Sequence, residues 1–166
     1  MTKSIVAAAL ISLASLSAGA GDSLAKFDGG IGVDPVSGIA LNSGAPVVNN
    51  VRGFFPAGAP WRIGRLEANI RTDGHVRVDG RGLLLAAGSL IGTTAGISVR
   101  AVLLCGDPKT STAHVTDVVA LSQAGDFNIE GDLTPPPPAQ CDTPAFLIVS
   151  GTGGAWLAAG IPDSRG

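Results

Sequence analysis

The sequence predicts an all-β fold: a single-domain antiparallel β-sandwich, or a barrel-like sandwich, of about 7–9 strands with one disulfide. Three observations predict it. Glycine (24) and proline (11) are abundant while charged residues make up only 14 % of the chain, which suits many turns better than helices lined with surface ion pairs. Short apolar segments alternate with polar side chains between those turn residues. No long stretch carries the apolar period of an amphipathic helix.

The chain begins MTKSIVAAALISLASLSAGA, with Lys3 as a short positive region, an apolar run from Ile5 to Ala18, and Ala18-Gly19-Ala20 as a small-x-small cleavage signal. That is the layout of a secretory signal peptide over residues 1–20. An apolar run of about 14 residues is short of the roughly 20 needed to span a bilayer. Residues 21–166 are then one domain, secreted or periplasmic, in keeping with a bacterial export substrate. Removing Lys3 leaves 10 basic against 13 acidic side chains, a net charge of −3. So mild a balance gives no electrostatic reason to expect nucleic acid. No later apolar run spans a membrane, and no cofactor motif is present.

Phe27 to Val33 and Val47 to Phe55 are the first expected strands, joined by a Gly/Asn/Pro/Ser-rich connection. FFPAGAPW, residues 54–61, holds three of the seven aromatic residues. Pro56, Gly58 and Pro60 force a turn there. A chain with so few aromatics is expected to bury Trp61 and one phenylalanine, leaving the Pro56–Pro60 tip exposed and Phe55 as a candidate binding residue.

RIGRLEANIRTDGHVRVDGRGLLL, residues 62–85, is the clearest hairpin. A two-residue Asp73-Gly74 loop would set Ile70 opposite Arg77. A three-residue loop, Thr72-Asp73-Gly74, pairs Ile70 with Val76, Ala68 with Val78 and Leu66 with Gly80. A one-residue slip flips every side chain, so the apolar face selects the second register. The other face carries Arg65, Glu67, Asn69 and Arg71 against Arg81, Asp79, Arg77 and His75, with diagonal pairs expected to offset the Glu67–Asp79 opposition.

Leu83 to Ile91 reads as a short helix weakened by Gly88. Ile97 to Cys105, Val115 to Leu121 and Phe127 to Leu133 read as strands, with Asp107-Pro108 and Gln123-Ala124-Gly125 as turns. AFLIVS (145–150) and AWLAA (155–159), separated by Gly151-Thr152-Gly153-Gly154, form a final hairpin. Both of its strands are apolar on two faces, as expected of covered central strands or of a homo-oligomer contact. The glycines resemble a phosphate-cradling loop, but no lysine or helix-start signal follows, so a turn is the reading.

Cys105 and Cys141 are the only cysteines. In an exported chain such a pair is expected to form a disulfide. Pro135 to Pro138 is a stiff polyproline crossover just before Cys141. The candidate sites are weaker. Asp126, Asn128, Glu130 and Asp132 recur every second residue with calcium-type oxygen ligands, yet simple alternation on a solvated strand produces the same pattern. Six of the eight arginines fall between Arg52 and Arg81, giving that stretch a charge of +3 and making Arg65, Arg77 and Arg81 candidates for an acidic glycan. His75 and His114 are the only histidines; no nucleophile motif accompanies them, and both are expected at exposed polar positions.

The run VRGFFPAGAPWRIG…RTDGHVRVDGRGLLLA, followed by VLLC, PPPPAQC and GAWLAAGIP, resembles a group of small exported bacterial proteins of uncharacterised function. The resemblance covers most of the chain after residue 20 and implies a signal peptide, a β-rich domain and one disulfide; it carries no activity, ligand or catalytic residue. The functional expectation is a non-enzymatic extracytoplasmic binding or structural module. Its alternatives are an extracellular hydrolase with an acid/base pair distant in sequence, or a calcium- or acidic-glycan-binding domain.

Overall fold

The computed structural model describes residues 22–163; the expected signal peptide lies outside them. Thirteen strands follow in order: β1 (Ser23–Gly32), β2 (Val36–Ile39), β3 (Pro46–Val48), β4 (Trp61–Arg62), β5 (Arg65–Arg71), β6 (His75–Arg81), β7 (Leu84–Leu85), β8 (Ser98–Cys105), β9 (Thr112–Val115), β10 (Val119–Ala120), β11 (Phe127–Asp132), β12 (Ala145–Ser150) and β13 (Trp156–Pro162). Nine of them make one antiparallel sheet in the order β10-β8-β12-β13-β1-β5-β6-β11, with β9 also on β8. Its margins meet where Val115 and Thr134 exchange backbone hydrogen bonds and where Ser122 N–H donates to the Asp126 carbonyl. The sheet is therefore curled and barrel-like, the second form that the sequence predicts. β2–β3 and β4–β7 are separate two-stranded ribbons.

The central hairpin has the expected register: Ile70 faces Val76, Ala68 faces Val78 and Leu66 faces Gly80. Gly74, at φ 87°, closes the three-residue loop with its amide on the Arg71 carbonyl at 2.9 Å. Pairing then carries one face across the sheet. Phe27, Ala68, Val78 and Ile129 form a buried row, while Lys26, Asn69, Arg77 and Glu130 form the next row on the outside. Inside the curl Phe27 stacks on Phe146, ring centroids 5.1 Å apart.

β8 and β12 are buried on both faces, since Ala101 to Cys105 and Phe146 to Val149 are all closed to solvent. One face lines the interior. The other is covered by the chain between β3 and β4: the Trp156 indole N–H donates to the Asn49 carbonyl at 2.8 Å, and Val51 and Phe54 pack on the core. Arg52, at the tip of that turn, donates to the carbonyls of Leu104, Gly106 and Thr143. The chain's own β3–β4 connection thus covers part of these apolar C-terminal strands. Cys105 and Cys141 are joined as a disulfide beside that tip.

Several local expectations need correction. Val47 to Phe55 is not one strand: after β3 the chain turns back at Val51–Phe54, with Arg52 at φ 50°. Leu83 to Ile91 is not helical; Leu84 and Leu85 pair with β4, and left-handed Gly88 and Gly92 turn the chain. Trp61 is buried as expected, but Phe54 is only half-buried and the Pro56–Pro60 tip is not free. Ala57 is buried because its amide donates to the Trp156 carbonyl, holding this segment against β13.

Candidate functional site

Strand pairing brings two separate sequence features onto one surface. The arginine-rich hairpin and the acidic alternation of β11 lie side by side on the outside of β1-β5-β6-β11. Arg77 is paired in register with Glu130, and His75 with Asp132. A second outer row sets Asp28, Glu67, Asp79 and Asn128 in line.

Most of these charges satisfy one another. Arg77 Nη2 donates to Glu130 at 2.7 Å, Arg71 to Asp73 at 2.6 Å and Arg81 to Asp79 at 2.6 Å; Arg65 pairs with Glu67. The pairing of Arg65 and Arg81 runs along each strand and not across the diagonals expected from the sequence. Side chains two apart share a strand face, and a bent arginine spans that pitch as readily as a diagonal of about 7–8 Å. Arg81 also approaches Asp126 at 3.7 Å, and its guanidinium is held more firmly protonated, first by the hydrogen bond and charge of Asp79. The Glu130 carboxyl is held below its ordinary range, first by the hydrogen bond and charge of Arg77 and then by His75.

Asp126 and Glu130 of the acidic alternation are therefore tied to arginines, and Asp132 lies against the His75 ring. Among the described residues no group of three His, Cys, Asp or Glu side chains is placed to hold a metal ion. Two shallow clefts mark this face. One of about 300 Å³ lies among Lys26, Asp28, Glu67, Arg77, Asp79 and Asp163, and one of about 270 Å³ among Asn69, Arg71, His75, Arg77 and Glu130.

The two histidines differ in kind. His75 is partly exposed, with Nδ1 3.2 Å from Asp132 and Nε2 3.9 Å from Glu130. A histidine that serves a nucleophile needs a hydroxyl or thiol on one nitrogen and an orienting group on the other. Here both nitrogens face carboxylates. His114 is not the exposed residue that its Thr/Ser neighbours suggest: it is 4 % exposed, opposite Leu103, with Nδ1 2.8 Å from the Pro135 carbonyl. Alternation from Cys105–Thr112 places it inside, next to a cleft of about 410 Å³ walled by Pro135–Pro138.

The other accessible feature is apolar. Strand directions put the connections 33–64, 82–97, 116–126 and 151–155 at the same end of the curled sheet. Of the eleven exposed large hydrophobic residues among those described, nine lie in these connections: Val36, Ile39, Leu41, Val47, Val48, Phe55, Leu90, Ile91 and Val118. Ile31 and Ile161, the other two, sit on strands, so the opposite end contributes none. Phe55, the aromatic left spare by the sequence, is 65 % exposed, while its carbonyl accepts from Trp156 N–H at 2.9 Å. Between Pro35 and Val51, and again between Gly82 and Val99, no side chain is charged.

The surface thus divides into a sheet face rich in paired charges and an end rich in unpaired apolar side chains. No protein-family model, curated protein or solved structure matches the chain.

Proposed function

We propose that the chain is an exported, non-enzymatic module of the periplasm or extracellular medium that works by surface contact through the apolar end of its curled sheet. The observation that carries this reading is the placement of nine exposed large hydrophobic residues in connections at one end. Soluble monomers rarely leave contiguous apolar surface without a use, and such patches mark contact sites. The disulfide suits an oxidising compartment, as does the leader-like start of the sequence. The charged face supports a solvated role, because its arginines and carboxylates already neutralise one another.

The test is site-specific photocrosslinking in the cells that make the protein. A benzophenone amino acid replaces Phe55 in one variant and Asn128, on the charged face, in another. An adduct from position 55 with none from position 128 is expected. Adducts only from position 128, equal adducts from both, or none from either would overturn the reading.

A further inference from the structure

The most exposed part of the apolar end is the β2–β3 ribbon. Every residue of both strands is exposed, so neither face is covered by the rest of the chain. Ile39 is 60 % exposed, and Leu41 at the turn is fully so. An isolated two-stranded ribbon is marginal in water, and three or more strands are the usual minimum for stability.

Its two free edges are not equivalent. Ala40 N–H donates to the Ala45 carbonyl at 2.9 Å, so strand alternation turns the amide and carbonyl of its neighbour Ile39 away from β3. Pro46 is the residue opposite Ile39, and it has no amide to offer. The outer edge of β3 is thus blunted by proline, whereas that of β2 presents an intact N–H and C=O at Ile39. The charged residues that usually protect an edge are missing from the ribbon.

We infer that β2 pairs edge to edge with β2 of a second copy of this chain, an inference that rests on the contact reading of the apolar end. Antiparallel pairing of one strand with itself is isologous, so a two-fold axis relates the copies and the assembly closes as a dimer. It turns two marginal ribbons into one four-stranded sheet, β3-β2-β2-β3, and sets Val36 and Ile39 of each copy against the other's. Two uncharged ribbons meet without like-charge repulsion. A lipid surface fits less well, because an open sheet edge buried in hydrocarbon leaves its amides and carbonyls unsatisfied.

Sedimentation velocity on the purified chain, from sub-micromolar to high-micromolar concentration, tests this. A reversible shift to twice the chain mass is expected. Ile39→Pro, which deletes the outward amide, should return the mass to that of a monomer, and Ile39→Val should leave the dimer intact. The ribbon buries no side chain, and far-ultraviolet circular dichroism of the variants checks that the sheet persists.

A wild-type monomer at every concentration, or a dimer undisturbed by Ile39→Pro, overturns the inference. So does a monomer that floats with phosphatidylglycerol–phosphatidylethanolamine vesicles. A monomer in solution that still yields a Phe55 adduct with a different protein in cells defeats the dimer and leaves the contact reading standing. Absence of both dimer and adduct removes the two together.

Discussion

Replacing Gly80 by alanine should destabilise the sheet through one ring. Gly80 lies between Leu66 and Phe127 in the buried row of β5-β6-β11, and the Phe127 ring lies directly over it. A Cβ at position 80 would stand 2.1 Å from Cζ of that ring, 2.2 Å from Cε1 and 2.7 Å from Cε2. Real Cβ atoms essentially never approach within 3.0 Å, so the ring or the strand must move. Phe127 is only 3 % exposed, so any displacement of its ring disturbs packed neighbours. Overpacking of this kind costs about 1–3 kcal/mol.

The mechanism is separable from a general dislike of substitution in β6. Phe127→Ala removes the ring and should cost about 3–5 kcal/mol as a cavity. In that background the Gly80→Ala methyl enters vacated space and its penalty should vanish. The cycle should then show a coupling of about 1–3 kcal/mol, the size expected of residues in direct contact. Urea titration followed by tryptophan fluorescence reads it, since Trp61 and Trp156 are both buried. Equal destabilisation by Gly80→Ala in the two backgrounds would refute the argument, as would a neutral single variant.

Cys105 and Cys141 are 36 residues apart, so their bond constrains the unfolded chain by about 4 kcal/mol on the loop-entropy estimate; reductant should lower the urea midpoint accordingly, and an unchanged midpoint contradicts this. The depressed Glu130 carboxyl gives a contribution to stability that is complete above its ordinary value of 4.5 and is lost as pH falls through the lowered folded value. Arg77→Met should move the Glu130 titration upward toward that ordinary value in a carboxyl-detected NMR experiment; a titration that stays put assigns the shift to the wrong partner.

The sequence was most legible where one face of a strand is apolar and the other charged. In β5–β6 a register error would bury Arg77 or Arg71, so the side chains alone select the three-residue loop that Gly74 closes. Cover is what the side chains do not encode. Val102 and Val36 look alike in sequence, yet the first, paired on both sides with Leu147 and Val115, is fully buried and the second is open. Arg52 is near the charged hairpin in sequence, but its three carbonyl partners come from Leu104 of β8, from Gly106 just after it and from Thr143, contacts that local pattern cannot reveal. His114 follows the period of β8, whose buried Leu103 lies opposite it, although Thr112 two residues earlier is exposed. Its Thr/Ser neighbours carry the opposite signal, that of a solvated strand.

These two surfaces differ in what a partner must displace. An anion on the charged hairpin would compete with Glu130 for Arg77 and with Asp79 for Arg81, and a cation on β11 would compete with the same arginines for the carboxylates. Either exchange replaces one ion pair in water by another, and exposed pairs of this kind are worth only about 0–1 kcal/mol. At Ile39, Leu41 and Phe55 a partner displaces water alone, and each buried side chain of this size returns up to about 1.5–3 kcal/mol. A partner would therefore gain more at the uncharged end than on the charged sheet face, where each exchange only replaces one ion pair by another.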